Sequence, residues 1–209
     1  MKRGAVKQLL IATNNDHKFA EFKSTIGRFG LPLRLLYAKD VGLEDFPPEV
    51  GSSYEENAFV KAAYAAAKTG LPSLGDDSGL EVAALGGEPG LYSARYGGDI
   101  SQGERLVKLL KAVQNVPQKA RGAKFVCALA FATPAGNVQT FRGECHGELL
   151  QGPRGDGGFG YDPIFYSYDL NTSFAEADKS EFDKECVSHR GRALLAFANW
   201  LMNPPSSQD

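Results

Sequence analysis

The period of the apolar positions changes from block to block along the chain. Residues 6–12 form an apolar run of strand length, closed by the polar stretch Thr13-Asn14-Asn15-Asp16. Phe19, Phe22, Ile26 and Phe29 then recur at helical spacing, and Gly30 stops the helix they predict. Residues 31–36 predict a second strand. Residues 40–51 are acidic and broken by proline, with Glu44, Asp45, Pro47, Pro48 and Glu49. Ser53 and Glu56 have the spacing of a capping box and open a helix running to Lys68. Its predicted apolar face is Phe59, Val60, Ala63, Tyr64 and Ala67, and Gly70 ends it. In Leu74-Gly75-Asp76-Asp77-Ser78-Gly79-Leu80, two adjacent carboxylates sit between glycines with apolar flanks. That pattern predicts a strand end, a tight turn and a second extended segment.

Ser101 and Glu104 repeat the capping spacing, ahead of a helix with Leu106, Val107, Leu109, Leu110 and Val113 inward. Residues 124–132 and 138–149 predict paired strands, joined through Thr133-Pro134-Ala135-Gly136-Asn137. A glycine-rich loop covers 152–160, and a polar segment of part loop, part helix covers 171–183. A closing helix over 193–202 turns Leu194, Leu195, Phe197, Ala198 and Leu201 inward.

Composition narrows the class. The chain has 209 residues, 43% hydrophobic and 23% charged, enough to bury a core without disulfides or structural metal. One domain over 1–202 with a flexible tail over 203–209 is expected. A net charge of −2 gives no global attraction to nucleic acid or anionic membrane, and no apolar stretch approaches spanning length. Neither nucleic acid nor membrane is therefore an expected partner. The first apolar run ends too early for a signal peptide. Cys127, Cys145 and Cys186 are widely spaced and form no Cys-x-x-Cys pair. This argues against a zinc cluster and for a reducing compartment, the cytoplasm.

Candidate chemistry lies in five places. Asp76 and Asp77 repel each other when ionised, unless a cation or strong donors lie close; the alternative is a solvated turn. A hard divalent cation with oxygen ligands is the usual partner, and Mg²⁺ is normally shared with substrate phosphates. Residues 13–18 lie between the first strand and the first helix, where free backbone N–H groups and the helix dipole suit phosphate, and Lys18 adds charge. The alternative there is a routine loop with an N-cap. Residues 155–160 formally match GxGxxG, but Tyr161-Asp162-Pro163 follows and Pro163 favours extended backbone, so a dinucleotide fold is rejected. Phe159 either stacks on a base or is a core ring. Ser188-His189-Arg190-Gly191-Arg192 puts cations ahead of the last helix, against its dipole, which favours an anionic or hydrogen-bond-accepting ligand. Arg95, among aromatics and glycines, is a phosphate contact, a partner-subunit contact or a surface ion-pair member.

Five motifs together resemble the noncanonical purine nucleoside triphosphate pyrophosphatases, the inosine triphosphate pyrophosphatase family. They are Thr-x-Asn-x-x-Lys at 13–18, Glu49 with Glu56-Asn57-Ala58, LGDDSGL at 74–80, PGLYSARYGG at 89–98, and GGFGYDPIF at 157–165 followed by SHRGRA. They occur in family order over about residues 10–196. The resemblance implies a mixed α/β fold, an elongated twisted sheet with flanking helices forming two lobes around an active-site cleft, and a homodimer. It implies Mg²⁺-dependent hydrolysis of dITP, ITP and XTP to the monophosphate and pyrophosphate. Asp77 is the implied general base and metal ligand, with Glu49 a second ligand and Asp76 in support. Thr13, Asn14, Asn15, Asp16, His17, Lys18 and Ser78 are implied to hold the triphosphate. Phe159, Gly160, Tyr161, Asp162, Lys184, His189 and Arg190 are implied to bind the rest of the substrate, chiefly the base. The segment 176–184 is slightly longer than the family pattern. A pyrimidine or modified-base preference, or a silent nucleotide-binding protein, are the alternative functions.

Overall fold

The computed structural model describes residues 7–177 and 186–203. The strands are β1 (Gln8–Ala12), β2 (Arg34–Tyr37), β3 (Ser73–Val82), β4 (Gly122–Ala132), β5 (Val138–Leu149), β6 (Phe165–Ser167) and β7 (Thr172–Ser173). The helices are α1 (Asp16–Arg28), α2 (Tyr54–Thr69), α3 (Gln102–Ala112) and α4 (His189–Met202). The strands make one seven-stranded sheet in the order β2-β1-β3-β4-β5-β6-β7. β1 is parallel to β2 and β3, whereas β5–β6 and β6–β7 are antiparallel, so the sheet is mixed and the α/β expectation holds. The expected tail beyond Asn203 lies outside the described residues.

Chain contacts divide the molecule into two compact units. Residues 7–77, 128–142 and 193–203 belong to the first, and residues 78–127, 143–177 and 186–192 to the second.

In the first unit, α2 lies against β3 on a face of small residues. Ala58, Ala62, Ala65 and Ala66 are buried, together with Tyr54, Asn57 and Lys61. The apolar face expected for this helix is therefore misplaced, because Phe59 and Val60 are 43% and 39% exposed. The reason is a close approach. A Cβ added at Gly75 would meet the Ala58 carbonyl oxygen at 2.3 Å and the Ala62 nitrogen at 2.8 Å. Large side chains would hold helix and strand apart, so alanine faces the strand and the phenylalanine turns away. The same unit stacks Phe131, Phe141, Phe197 and Trp200 with centroids between 5.4 and 6.4 Å apart. On α4, Ala193, Leu194, Phe197 and Ala198 are buried, whereas Leu195, expected inward, is exposed.

The second unit centres on Phe125, whose ring meets Phe165 edge-on at 4.7 Å and stacks on Phe174 at 5.6 Å. On α3, Leu109 and Val113 are buried and Leu106 and Leu110 pack beside them, but Val107 faces outward. Ser101 and Glu104 close the expected reciprocal capping box. At α2 the box is shifted. Ser53 Oγ accepts from the Glu56 backbone at 3.2 Å, but the Glu56 carboxylate accepts chiefly from Ser52, at 2.7 Å from its backbone nitrogen.

The largest departure from expectation is LGDDSGL. It is not a turn but the middle of β3, a ten-residue strand that is buried almost throughout. Neither Gly75 nor Gly79 has a positive φ. Gly75 provides clearance for α2 rather than a bend. Gly75→Ala would push backbone against backbone, and overpacking of this kind costs about 3 kcal/mol or more. Urea denaturation monitored by circular dichroism should show the midpoint falling accordingly, with Gly86→Ala, where space is open but φ is positive, costing less.

Candidate active site

The candidate site grows from the alternation of side chains along β3. In a strand, residues two apart share a face and neighbours oppose. Gly75 and Asp77 face α2, while Asp76 turns the other way, toward α1. Asp76 is 2% and Asp77 4% exposed. Two buried carboxylates side by side need separate partners, and each has one. Lys18, on α1, donates from Nζ to Asp76 Oδ1. Asn57, on α2, donates from Nδ2 to Asp77 Oδ2 at 2.8 Å.

Helix α2 contributes twice more. The Asn57 carbonyl oxygen accepts from the Gly51 backbone N–H at 2.8 Å, which ties the end of the acidic segment to the helix. Lys61, one helical turn beyond Asn57 and buried, pairs with Glu49 at 2.6 Å. Burial pushes the Asp77 carboxyl up from its ordinary range, and the Glu49 and Asp76 charges add to this. The Lys61 charge and the Asn57 hydrogen bond oppose it. Two lysines thus stand among three carboxylates. Lys61 and the bonding role of Asn57 were not anticipated from sequence. Their signal was present: two polar residues four apart, in line with the alanines of α2.

The loop after β1 behaves as a helix entry should. Ala12 pairs with Gly75 in parallel register, so the loop leaves the sheet beside the two aspartates. Ligands of open α/β sheets bind at such carboxyl ends of strands. Asn15 caps α1, its Oδ1 accepting from Lys18 N at 3.1 Å, and Thr13 Oγ1 accepts from Asn15 N at 3.2 Å. Asn14 Nδ2 donates to the Glu44 carbonyl. His17 is exposed on the first turn. Asp16 uses its carboxylate elsewhere, accepting from Tyr37 Oη at 2.6 Å and Lys39 Nζ at 3.1 Å. The Tyr37 hydrogen bond first, then Lys39, holds its carboxyl below the ordinary range. The Asp16 side chain is therefore committed to Tyr37 and Lys39.

The remaining expected residues belong to the second unit. α4 begins at His189, earlier than expected, so His189 and Arg190 form its first turn rather than precede it. Arg190 is buried and donates to Ser78 Oγ at 3.0 Å. The His189 ring stacks on Phe125 at 4.7 Å. Asp162 accepts from the Phe159 N–H at 3.1 Å and so closes the Phe159-Gly160-Tyr161 turn. Gly158 is needed there, since a Cβ would meet Asp162 Oδ2 at 2.1 Å. Phe159 is half-buried and outside the buried core. Tyr161 is a core side chain, its hydroxyl donating to the Ser93 carbonyl at 3.0 Å. Arg95 lies over the Tyr92 ring at 5.1 Å. Lys184 lies outside the described residues. A cavity of about 350 Å³ in this unit, lined by Glu81, Lys124, His146 and Tyr168 among others, contains none of the expected site residues.

The family model described as the Ham1 family matches residues 9–200. The chain belongs to the Ham1 family. Curated relatives agree with that assignment across nearly the whole length. A dITP/XTP pyrophosphatase of Thermus thermophilus is 44% identical over 202 residues, covering 97% of this chain and 95% of its own. Another, of Geobacter sulfurreducens, is 48% identical over 200 residues, covering 93% and 96%. Among solved structures, a HAM1 protein from Coxiella burnetii superposes with a TM-score of 0.82 at 36% identity, covering 94% of this chain and 98% of that one. The expectation of a pyrophosphatase enzyme agrees with the names these Ham1 relatives carry. Among the described residues no helix is long and apolar enough to cross a membrane.

The buried Asp77 charge has a consequence for stability. Its folded-state carboxyl is raised, so between the unfolded and folded values the native state binds more protons, and stability falls as pH rises through that window. In chelator-treated, metal-free protein, Asp77→Asn removes this cost while keeping an acceptor for Asn57. Its melting temperature at pH 7 should equal or exceed wild type, with the difference closing as pH falls through the ordinary carboxylate range. Thermal melts at stepped pH measure it; a variant that melts well below wild type at pH 7 contradicts the account.

Proposed function

We propose that the protein is a cytoplasmic, homodimeric enzyme that hydrolyses dITP, ITP and XTP to the nucleoside monophosphate and pyrophosphate, removing abnormal purines from the nucleotide pool. The observation that carries this reading is the buried Asp76–Asp77 pair, partnered by Lys18 and Asn57 and placed at the loop that caps α1. The names of the curated relatives support the substrate class.

Mg²⁺ fits the residues present. Among the described residues no group of three or more His, Cys, Asp or Glu forms a closed cage. Mg²⁺ commonly takes one or two carboxylates, keeps water, and completes its shell with substrate phosphates. Glu49 and Asp77 supply those carboxylates here, and Asp76, held by Lys18, supports them. When bound, the ion supplies charge neutralisation on the phosphates and acidifies water.

The protein's own groups do the rest. The loop over 13–18, through the backbone N–H groups that its own cap and turn do not use, holds the triphosphate together with the Lys18 ammonium and the Ser78 hydroxyl. Asp77 orients a water and takes its proton as the anhydride between the α- and β-phosphates breaks and pyrophosphate leaves. A carboxylate with a raised pKa is a better base for this than an exposed one. The base stacks on Phe159, at the turn closed by Asp162. Arg190 and His189 present donors to O6 of hypoxanthine or xanthine. Adenine has an amino group at that position, so a donor would meet a donor and leave buried polar groups unpaired.

The test is a panel of ITP, dITP, XTP, ATP, GTP and dTTP with Mg²⁺, scoring pyrophosphate against orthophosphate. Pyrophosphate should appear from the first three at far higher kcat/KM than from ATP or GTP. Equal turnover of ATP would sink the base-selection argument, and orthophosphate as first product the cleavage position. Asp77→Asn should lower kcat by roughly 10²–10⁴-fold while substrate binding persists. Phe159→Ala should mainly raise KM, and Lys18→Ala should mainly impair use of the triphosphate. Light scattering should give twice the chain mass.

A further inference from the structure

In the loop over residues 13–18, the Asn14 side chain is committed away from phosphate. Its Nδ2 donates to the Glu44 carbonyl, which fixes the amide's orientation, because a flipped amide would set oxygen against oxygen. Its Oδ1 is buried and has no hydrogen-bond partner among the described residues. A buried acceptor in a native protein calls for a donor or a cation. An ionised triphosphate offers only acceptors, so it does not satisfy this oxygen.

The surroundings say what does. Ala12 is the last residue of β1 paired with β3, opposite Gly75, and Asp76 and Asp77 are the next two residues of β3, so the loop carrying Asn14 starts where the aspartates begin, and its Lys18 donates to Asp76. Through Glu44, Asn14 is bonded to the acidic segment that also carries Glu49. The unpartnered oxygen therefore lies on a loop that is bonded to both stretches of chain that supply the carboxylates. A neutral amide oxygen is an ordinary ligand for a hard cation, or an acceptor for its bound water.

We infer that Asn14 is an oxygen ligand of the divalent-cation site, accepting from the ion or from one of its waters, rather than a phosphate contact. The inference rests on the reading of Glu49 and Asp77 as cation ligands.

The experiment is a Mn²⁺ titration of the substrate-free protein, followed by electron paramagnetic resonance of the unbound ion. It compares wild type, Asn14→Ala, Asn14→Asp and Asp77→Asn, each checked for folding by circular dichroism. Asn14→Ala should weaken Mn²⁺ binding roughly tenfold. Asn14→Asp loses the donor to Glu44 but keeps an oxygen and adds charge, so it should bind Mn²⁺ at least as tightly as wild type. If Asn14→Ala binds like wild type while Asp77→Asn does not, the inference falls and the carboxylate reading stands. If Asn14→Asp is as weak as Asn14→Ala, the tether to Glu44 is what matters, and the ligand role falls. If wild type shows no saturable binding, the cation reading falls with it.

Discussion

Two adjacent carboxylates buried in one strand impose the constraint on which the first unit depends. A strand sends neighbouring side chains to opposite faces, so no single group can serve both. The protein meets Asp76 with Lys18 on one face and Asp77 with Asn57 on the other. Each partner comes from a different helix, so the chemistry of β3 determines where α1 and α2 lie. An uncompensated carboxylate there would be neutralised or expelled. Asp77, with an amide donor and a nearby Lys61 charge, keeps a raised carboxyl, whereas Glu49 has that lysine in direct contact.

Helix α2 is where packing and chemistry become inseparable. Its alanine face lets the helix reach the backbone of β3 at Gly75. That short separation brings Asn57 within hydrogen-bond distance of Asp77 and leaves Lys61 buried beside Glu49. A conventional large-residue face would increase the separation and break the Asn57–Asp77 contact. The exposed Phe59 and Val60 follow from the same geometry.

The second unit solves a different problem, burying a guanidinium. Arg190 sits in the first turn of α4, where the dipole disfavours a cation. Its bond to Ser78 Oγ and the neighbouring stack of His189 on Phe125 hold it there. The Phe159 turn is shaped by Asp162 and by the absence of a side chain at Gly158, which keeps Phe159 out of the core. The tyrosine beside it goes the other way, into the core.

Local chemistry was readable in the residues. Capping spacings located α2 and α3, the apolar run and polar stop located β1 and the loop before α1, and five short motifs in order indicated the family. These signals depend on neighbours within a few positions, where backbone hydrogen bonding and side-chain period dominate. Which way a face turns was not readable in the same manner. Asp76-Asp77 between glycines carries the composition of a turn, and only the place of its strand between β1 and β4 makes it the interior of β3. Phe59, Val60, Val107 and Leu195 have the right apolarity for inward positions but face outward, Phe59 and Val60 because α2 closes on the backbone of β3 at Gly75. The work of Asn57, Lys61 and the Asn14 oxygen likewise depends on segments distant in sequence meeting in space. Burial, and with it the charge state and partners of each polar group, is a property of that meeting.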